Sequence, residues 1–169
     1  MSSDAVRALV VTVSTRAAAG VYPDETGPAL AGLLREAGFL VAGPRVVPDG
    51  ASVGAALRTA LAEGHDVVVT AGGTGIARDD QTPEHTLPVL DRVLPGIPEA
   101  VRAVGAAAGS SAAVLSRGVA GTAGRTLVVN LPGSVRAVRE AAPVLIPALR
   151  HGVDQLRGGD HPAVRRPAP

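Results

Sequence analysis

Asp49, Asp79 and Asp80 are the residues of this chain best suited to hold a divalent cation. Each follows a run of strand-forming residues: Asp49 lies in the turn Pro48-Asp49-Gly50, and the other two lie behind the loop Gly72-Gly73-Thr74-Gly75. Mg²⁺ takes one or two carboxylates, keeps waters and completes its shell with substrate phosphates. The glycine loop is a candidate partner for those phosphates, because glycines let successive backbone N–H groups converge on an anion and Thr74 adds a hydroxyl donor. A Gly-Gly-x-Gly string alone marks a tight turn more often than an anion site. A second turn, Asn130-Leu131-Pro132-Gly133-Ser134, leads into a helix N-terminus, where unpaired N–H groups also favour anions. Three acids and two such turns at one rim favour the functional reading. His85, just after Pro83, is a candidate base or a helix-surface residue, while His65, His151 and His161 lack metal-ligand spacing.

What the chain lacks narrows the chemistry further. Its sixteen basic residues are all arginine, and it has no cysteine, no tryptophan, one Tyr and one Phe. A lysine Schiff base, a Walker-type lysine, a cysteine nucleophile, a disulfide framework and a Cys-ligated zinc are therefore excluded. Few aromatics and a net charge of +1 argue against a nucleic-acid partner. The segment after the first strand, VSTRAAAG, carries no dinucleotide fingerprint, which disfavours a nicotinamide oxidoreductase. Met1-Ser2-Ser3-Asp4 does not open a secretory signal, and the longest charge-free run, Ala103 to Ser116, is short of the ~20 apolar residues of a membrane span. A cytoplasmic protein without a membrane partner is expected.

The elements that must position these residues follow an α/β alternation in one domain over residues 1–158. Val6 to Val13 reads as a first strand, followed by a loop to Thr26 and a helix opened by Pro28, with Leu30, Leu33, Leu34 and Ala37 on one face. Phe39 to Val47 reads as an edge strand because Pro44 cannot donate to a ladder. Ser52 is expected to cap the next helix, and Asp66 to Thr70 to form a strand buried on both faces. Thr82-Pro83-Glu84 starts a helix predicted to reach Val93, and another follows from Pro98 with Val101 and Val104 inward. Ala112 to Leu115 and Thr126 to Leu131 read as strands joined by the Gly-rich stretch from Gly118 to Gly124. Ser134 caps a last helical region broken by Pro143 and Pro147. A disordered tail over residues 159–169 is expected from its Gly, Pro and Arg content. In an open α/β sheet, the loops beyond the carboxyl ends of the strands meet the ligand, and four segments fall there: Ser14 to Arg16, Pro48 to Gly50, Ala71 to Glu84 and Asn130 to Ser134.

Taken together and in order, VVTVSTRAAAGVYPDETGPAL, VVPDG, TAGGTGIARDDQTPE, LSRGVAGTAGRTLVVNLPGS and VRE resemble the MogA/MoaB family of molybdenum-cofactor biosynthesis proteins, whose molybdopterin-binding fold also occurs in gephyrin. The resemblance runs from about Val6 to Gly158. It implies a three-layer α/β/α sandwich with a mostly parallel, mixed central sheet, assembled as a homotrimer. The implied activity is adenylylation of molybdopterin by Mg²⁺ and ATP, with release of pyrophosphate and transfer of the product to a MoeA-type insertase. Carried over by motif, Asp49 and Asp80 match the catalytic, metal-binding acids, and Asp79 a variable position. Ser14, Gly72, Gly73, Thr74, Gly75, Ser116, Arg117, Asn130, Pro132, Gly133 and Ser134 match positions that line the pterin and nucleotide site. Thr15 and Ala71 depart from the family pattern, which has Asp at the first position in many members and Thr or Ser at the second. A non-catalytic MoaB-type molybdopterin-binding protein is the alternative that the same resemblance allows.

Overall fold

The computed structural model describes residues 5–158, so the expected tail lies outside the described residues. Alternating Val, Leu and Ala side chains fill both faces of a six-stranded sheet. Its strands are β1 (Arg7–Val13), β2 (Leu40–Val47), β3 (Val67–Ala71), β4 (Arg92–Val93), β5 (Ala120–Ala123) and β6 (Thr126–Leu131), in the order β2-β1-β3-β6-β5-β4. The first three strands and β6 are parallel, while β5 runs antiparallel to β6 and β4 to β5. Val67, Val69 and Ala71 of β3 pack on one side with α2 (Thr26–Glu36), α5 (Gly96–Ala107) and α6 (Val135–Leu156). Val68, with Leu9, Val11 and Val128, faces Val53, Leu57 and Ala60 of α3 (Ala51–Ala62) on the other. The expected three layers result, with every residue of β3 and β6 buried.

Chain direction explains the layering. From β1 the chain steps outward through α2 to the edge strand β2, then returns through α3, past β1, to β3. Right-handed crossovers made in opposite directions place the two helices on opposite faces. The loops after β1 and β3 therefore diverge and leave a crevice at the carboxyl ends of these two strands, which is where an open α/β sheet binds its ligand. Pro44 does lie in an edge strand.

Several expected elements differ. The loop after β1 contains a short helix, α1 (Thr15–Ala18), capped by the Ser14 hydroxyl, which accepts from the Ala17 N–H. Ser52 does not cap α3; the N-cap is Gly50, whose φ of 91° turns the chain sharply away from Asp49. The helix begun at Thr82 ends at Thr86 (α4), and a 3₁₀ turn Leu87–Val89 and the two-residue β4 replace its remainder, since Pro88 cannot continue the ladder. Ala112 to Leu115 is no strand: Ala113–Leu115 form a 3₁₀ turn with Val114 and Leu115 exposed. The strand lies instead in the Gly-rich stretch, as β5. Its small residues are required, because a Cβ on Gly121 would strike the Arg92 carbonyl and come within 2.7 Å of Leu90 Cδ1. Finally, Pro143 and Pro147 do not break α6, which is continuous over 22 residues. Both prolines lie on its exposed side, where water can solvate the freed carbonyls, while Val138, Leu145, Leu149 and Val153 pack beneath.

Candidate functional site

The crevice is a cleft of about 980 Å³ lined by the loops that follow β1, β2, β3 and β6. Ser14, at the end of β1, bonds Tyr22 through their hydroxyls, 2.9 Å apart. Thr15 binds Asp49 at the end of β2: its N–H and hydroxyl donate to Asp49 Oδ2 at 3.1 and 2.8 Å, and its Oγ1 accepts from the Asp49 N–H at 3.1 Å. These bonds claim one carboxylate oxygen of Asp49. The other, Oδ1, lies against the glycine loop, 2.8 Å from where a Cβ on Gly73 would sit.

The loop Gly72 to Gly75 is held from behind by its carbonyls. Gly72 O accepts the Thr82 hydroxyl at 2.9 Å and Gly73 O the Thr82 N–H at 3.0 Å. Thr74 O accepts the Arg117 N–H at 2.8 Å and Gly75 O the Arg117 Nε–H at 2.7 Å. A trans peptide points its N–H opposite to its C=O. The N–H groups of Gly73, Thr74, Gly75 and Ile76 are thus turned away from these anchors, and none donates to another described residue. Asp80 closes the far side. Its Oδ2 accepts from the Ala77 N–H at 3.0 Å and lies 2.7 Å from a Cβ built on Gly75. Oδ1 of Asp80 accepts from no described residue. Two acids therefore flank the loop, each with one oxygen unclaimed. Asp79 lines the same cleft but is exposed and makes no hydrogen bond among the described residues. No group of three His, Cys, Asp or Glu able to enclose a metal occurs among the described residues, so the three acids do not form a closed cage.

The fourth wall is the turn into α6. Gly133 presses on the glycine loop, since a Cβ there would lie 2.9 Å from Gly72 Cα, and the Ser134 hydroxyl caps α6 by accepting from the Ala137 N–H. Pro132, Gly133, Ser134, Ser116, Ser14 and all four loop residues line the cleft. Two expected ligand contacts do not. Asn130 is buried, its amide donating to the Thr70 and Thr86 hydroxyls at 2.9 and 3.0 Å while its oxygen accepts from the Val119 N–H. It ties β3 and β6 to α4 beneath the cleft. Arg117 sits behind the loop: besides the two bonds above, it donates to the Asp80 carbonyl at 2.5 Å and pairs with Glu84. This guanidinium holds the Glu84 carboxyl below the ordinary glutamate range, against a smaller upward push from burial. His85 faces α3 at Gly54 and does not line the cleft.

Arg16, Tyr22 and Asp24, which lie outside the expected set of contacts, also line the cleft. Arg16 lies 4.9 Å above the Tyr22 ring centroid, and Asp24 accepts from the Thr12 hydroxyl at 2.7 Å and the Gly27 N–H at 2.9 Å. The last bond satisfies an N–H in the first turn of α2, whose N-cap is Glu25. An Asp just ahead of a helix start is a readable signal for such a bond; the Arg16–Tyr22 stack, formed within a loop, has none.

A family model described as a probable molybdopterin binding domain matches residues 9–151. A solved structure described as the anomalous substructure of MogA is 51% identical, with a TM-score of 0.85 over 89% of this chain and 99% of that one. The molybdopterin adenylyltransferase of Helicobacter pylori strain J99 is 35% identical over 88% of this chain and 86% of its own length. Molybdenum cofactor biosynthesis protein B of Bacillus cereus is 38% identical over 86% and 88%, respectively. The chain spans about half the length of two similar proteins, the molybdenum cofactor biosynthesis bifunctional proteins of Chlorobaculum tepidum and Synechococcus elongatus. With the cleft built from the very motifs that suggested it, and with matches over most of its length, the chain belongs to the MogA/MoaB family of molybdopterin-binding, molybdenum-cofactor biosynthesis proteins.

Proposed function

We propose that the chain adenylylates molybdopterin with ATP and Mg²⁺. The observation that carries this reading is the glycine loop, whose N–H groups are turned from its anchors and which is flanked by Asp49 Oδ1 on one side and Asp80 on the other. In the reaction, a phosphate oxygen of molybdopterin attacks the α-phosphorus of ATP; a new P–O bond forms, the bond to the β-phosphate breaks, and pyrophosphate leaves. The attacking group is already an anion, so no strong base, lysine or cysteine is needed. What the chain must supply is positioning and charge neutralisation. The loop's N–H groups and the α6 N-terminus offer donors to phosphate oxygens, and Ser14 and Ser116 offer hydroxyls. Two hard carboxylate oxygens with no protein donor suit Mg²⁺, whose remaining ligands come from water and phosphate. Asp49 and Asp80 would hold that ion, and it would supply positive charge to the phosphates.

We further propose a homotrimer acting in the cytoplasm and passing its product to a MoeA-type insertase. A non-catalytic carrier of molybdopterin is the second reading, favoured by the similarity to biosynthesis proteins named B. Purified protein given molybdopterin, ATP and Mg²⁺ separates the two: adenylylated molybdopterin and pyrophosphate are expected, and binding without either product sinks the transferase reading.

A further inference from the structure

We infer that Arg117 is a positioning residue of the anion loop, whose positive charge is taken up by the loop and not offered to the ligand. Its backbone and side chain together reach four groups. The backbone N–H and Nε–H hold the Thr74 and Gly75 carbonyls, Nη2 holds the Asp80 carbonyl, and Nη1 meets the Glu84 carboxylate. Three of these come from one planar guanidinium, a fork that an ammonium on a flexible stem cannot reproduce. By fixing the Gly75 and Asp80 carbonyls at once, Arg117 sets the distance between the loop and the acid that closes it. Fixing the Gly75 carbonyl also turns the Ile76 N–H the opposite way. Glu84 neutralises the guanidinium, so the arginine orients donors without adding net charge behind them. Among the described residues this loop has no lysine to steady an anion, and geometry must do that work. The inference rests on the proposed transferase only for the identity of the anion.

Magnesium pyrophosphate is the probe, with its binding measured by calorimetry on the intact protein alongside a molybdopterin titration and a thermal melt. Arg117→Lys keeps the charge and loses the fork; a tenfold or greater fall in pyrophosphate affinity is expected. Equal affinity in Arg117→Lys overturns the inference, because a point charge would then suffice. Glu84→Ala, at an exposed position, gives a second comparison, on which the clamp and a direct contact predict opposite signs, and it survives any folding failure of the arginine variant. With one of its four anchors gone, the clamp is expected to bind pyrophosphate at least threefold more weakly. If Arg117 contacted the anion directly, removing its competing carboxylate would leave affinity unchanged or raise it, and either result overturns the inference. Weakened binding in both variants, in a wild-type protein that transfers no adenylyl group, supports the clamp while sinking the transferase. Wild-type protein that fails to bind magnesium pyrophosphate overturns both.

Discussion

Asp49 and Asp80 each engage the protein through one oxygen and leave the other unclaimed, so charge is the property a substitution there removes. Asp80→Asn keeps size and leaves an oxygen to accept from Ala77, but it takes away the charge that would hold Mg²⁺. Adenylyl transfer is expected to fall at least ~100-fold, on the order of 3 kcal/mol of transition-state stabilisation, with little change in molybdopterin affinity. Asp49→Asn should behave alike. Asp79→Asn should be nearly silent, since Asp79 is exposed and bonds no described residue. Rates and molybdopterin titrations on the three variants check the assignment; an active Asp80→Asn or an inactive Asp79→Asn would place the metal on the wrong acid. Gly73 is the sharpest steric case. Its φ of 63° disfavours any side chain, and a Cβ would strike the Thr82 hydroxyl and approach Asp49 Oδ1 to 2.8 Å. Gly73→Ala should therefore lose most pyrophosphate binding while keeping its far-UV circular dichroism, and full retention of binding would show that the loop is not the cradle.

Elements in this protein are joined by a few buried polar links whose removal strands several partners at once. Asn130→Ala would leave the Thr70 and Thr86 hydroxyls and the Val119 N–H without the amide that satisfies them. A loss of roughly 2–4 kcal/mol of stability is expected in denaturant titrations, larger than for an exposed polar residue. At the opposite end of the sheet from the cleft, Glu63 joins α3 to β2 and the start of β3. Hydrogen bonds from Arg45, and then from His65, hold its carboxyl below the ordinary glutamate range. A depressed carboxylate contributes stability above its unfolded pKa and loses it as pH falls through the folded value. Melting temperatures of wild type and Glu63→Gln should thus differ at neutral pH and converge in acid, as pH falls through the lowered folded-state value, with a small gap because the pair is partly exposed. A gap that persisted unchanged in acid would mean that the link acts through packing.

At the scale of the whole molecule, apolar side chains remain exposed away from the cleft, among them Leu40 at 60% and Val93 at 53%, both on edge strands. Burial of such surface between copies fits the proposed trimer. Sedimentation equilibrium at micromolar concentration is expected to return three times the chain mass, and a monomer would contradict the proposal. Among the described residues no helix is long and apolar enough to cross a membrane.

Local chemistry made much of this protein legible in one dimension. Runs such as Val67 to Thr70 and Thr126 to Leu131 carry their burial in their composition, and Ser134, just ahead of an apolar-periodic run, signals a helix start with a hydroxyl suited to cap it. The turns carrying Asp49, Gly72 to Gly75 and Ser134 were legible too, because glycine and proline mark where backbone must bend or approach closely. Tertiary contacts decided the rest. A sequence of Ala, Gly and Thr became β5 only because β4 and β6 flank it, and Gly50 displaced Ser52 as the cap because the Asp49 turn needed a positive φ. Two residues with the look of ligand contacts lie off the cleft wall in the structure: Asn130 is buried beneath it, and Arg117 bonds the back of the glycine loop. Most of their side-chain partners, among them Glu84, Gly75 and Thr70, lie 33 to 60 positions away, and no local pattern encodes hydrogen bonds of that span. Residue type and spacing thus marked the loops that line the cleft, whereas the direction in which each side chain points within them depended on neighbours that only folding brings together.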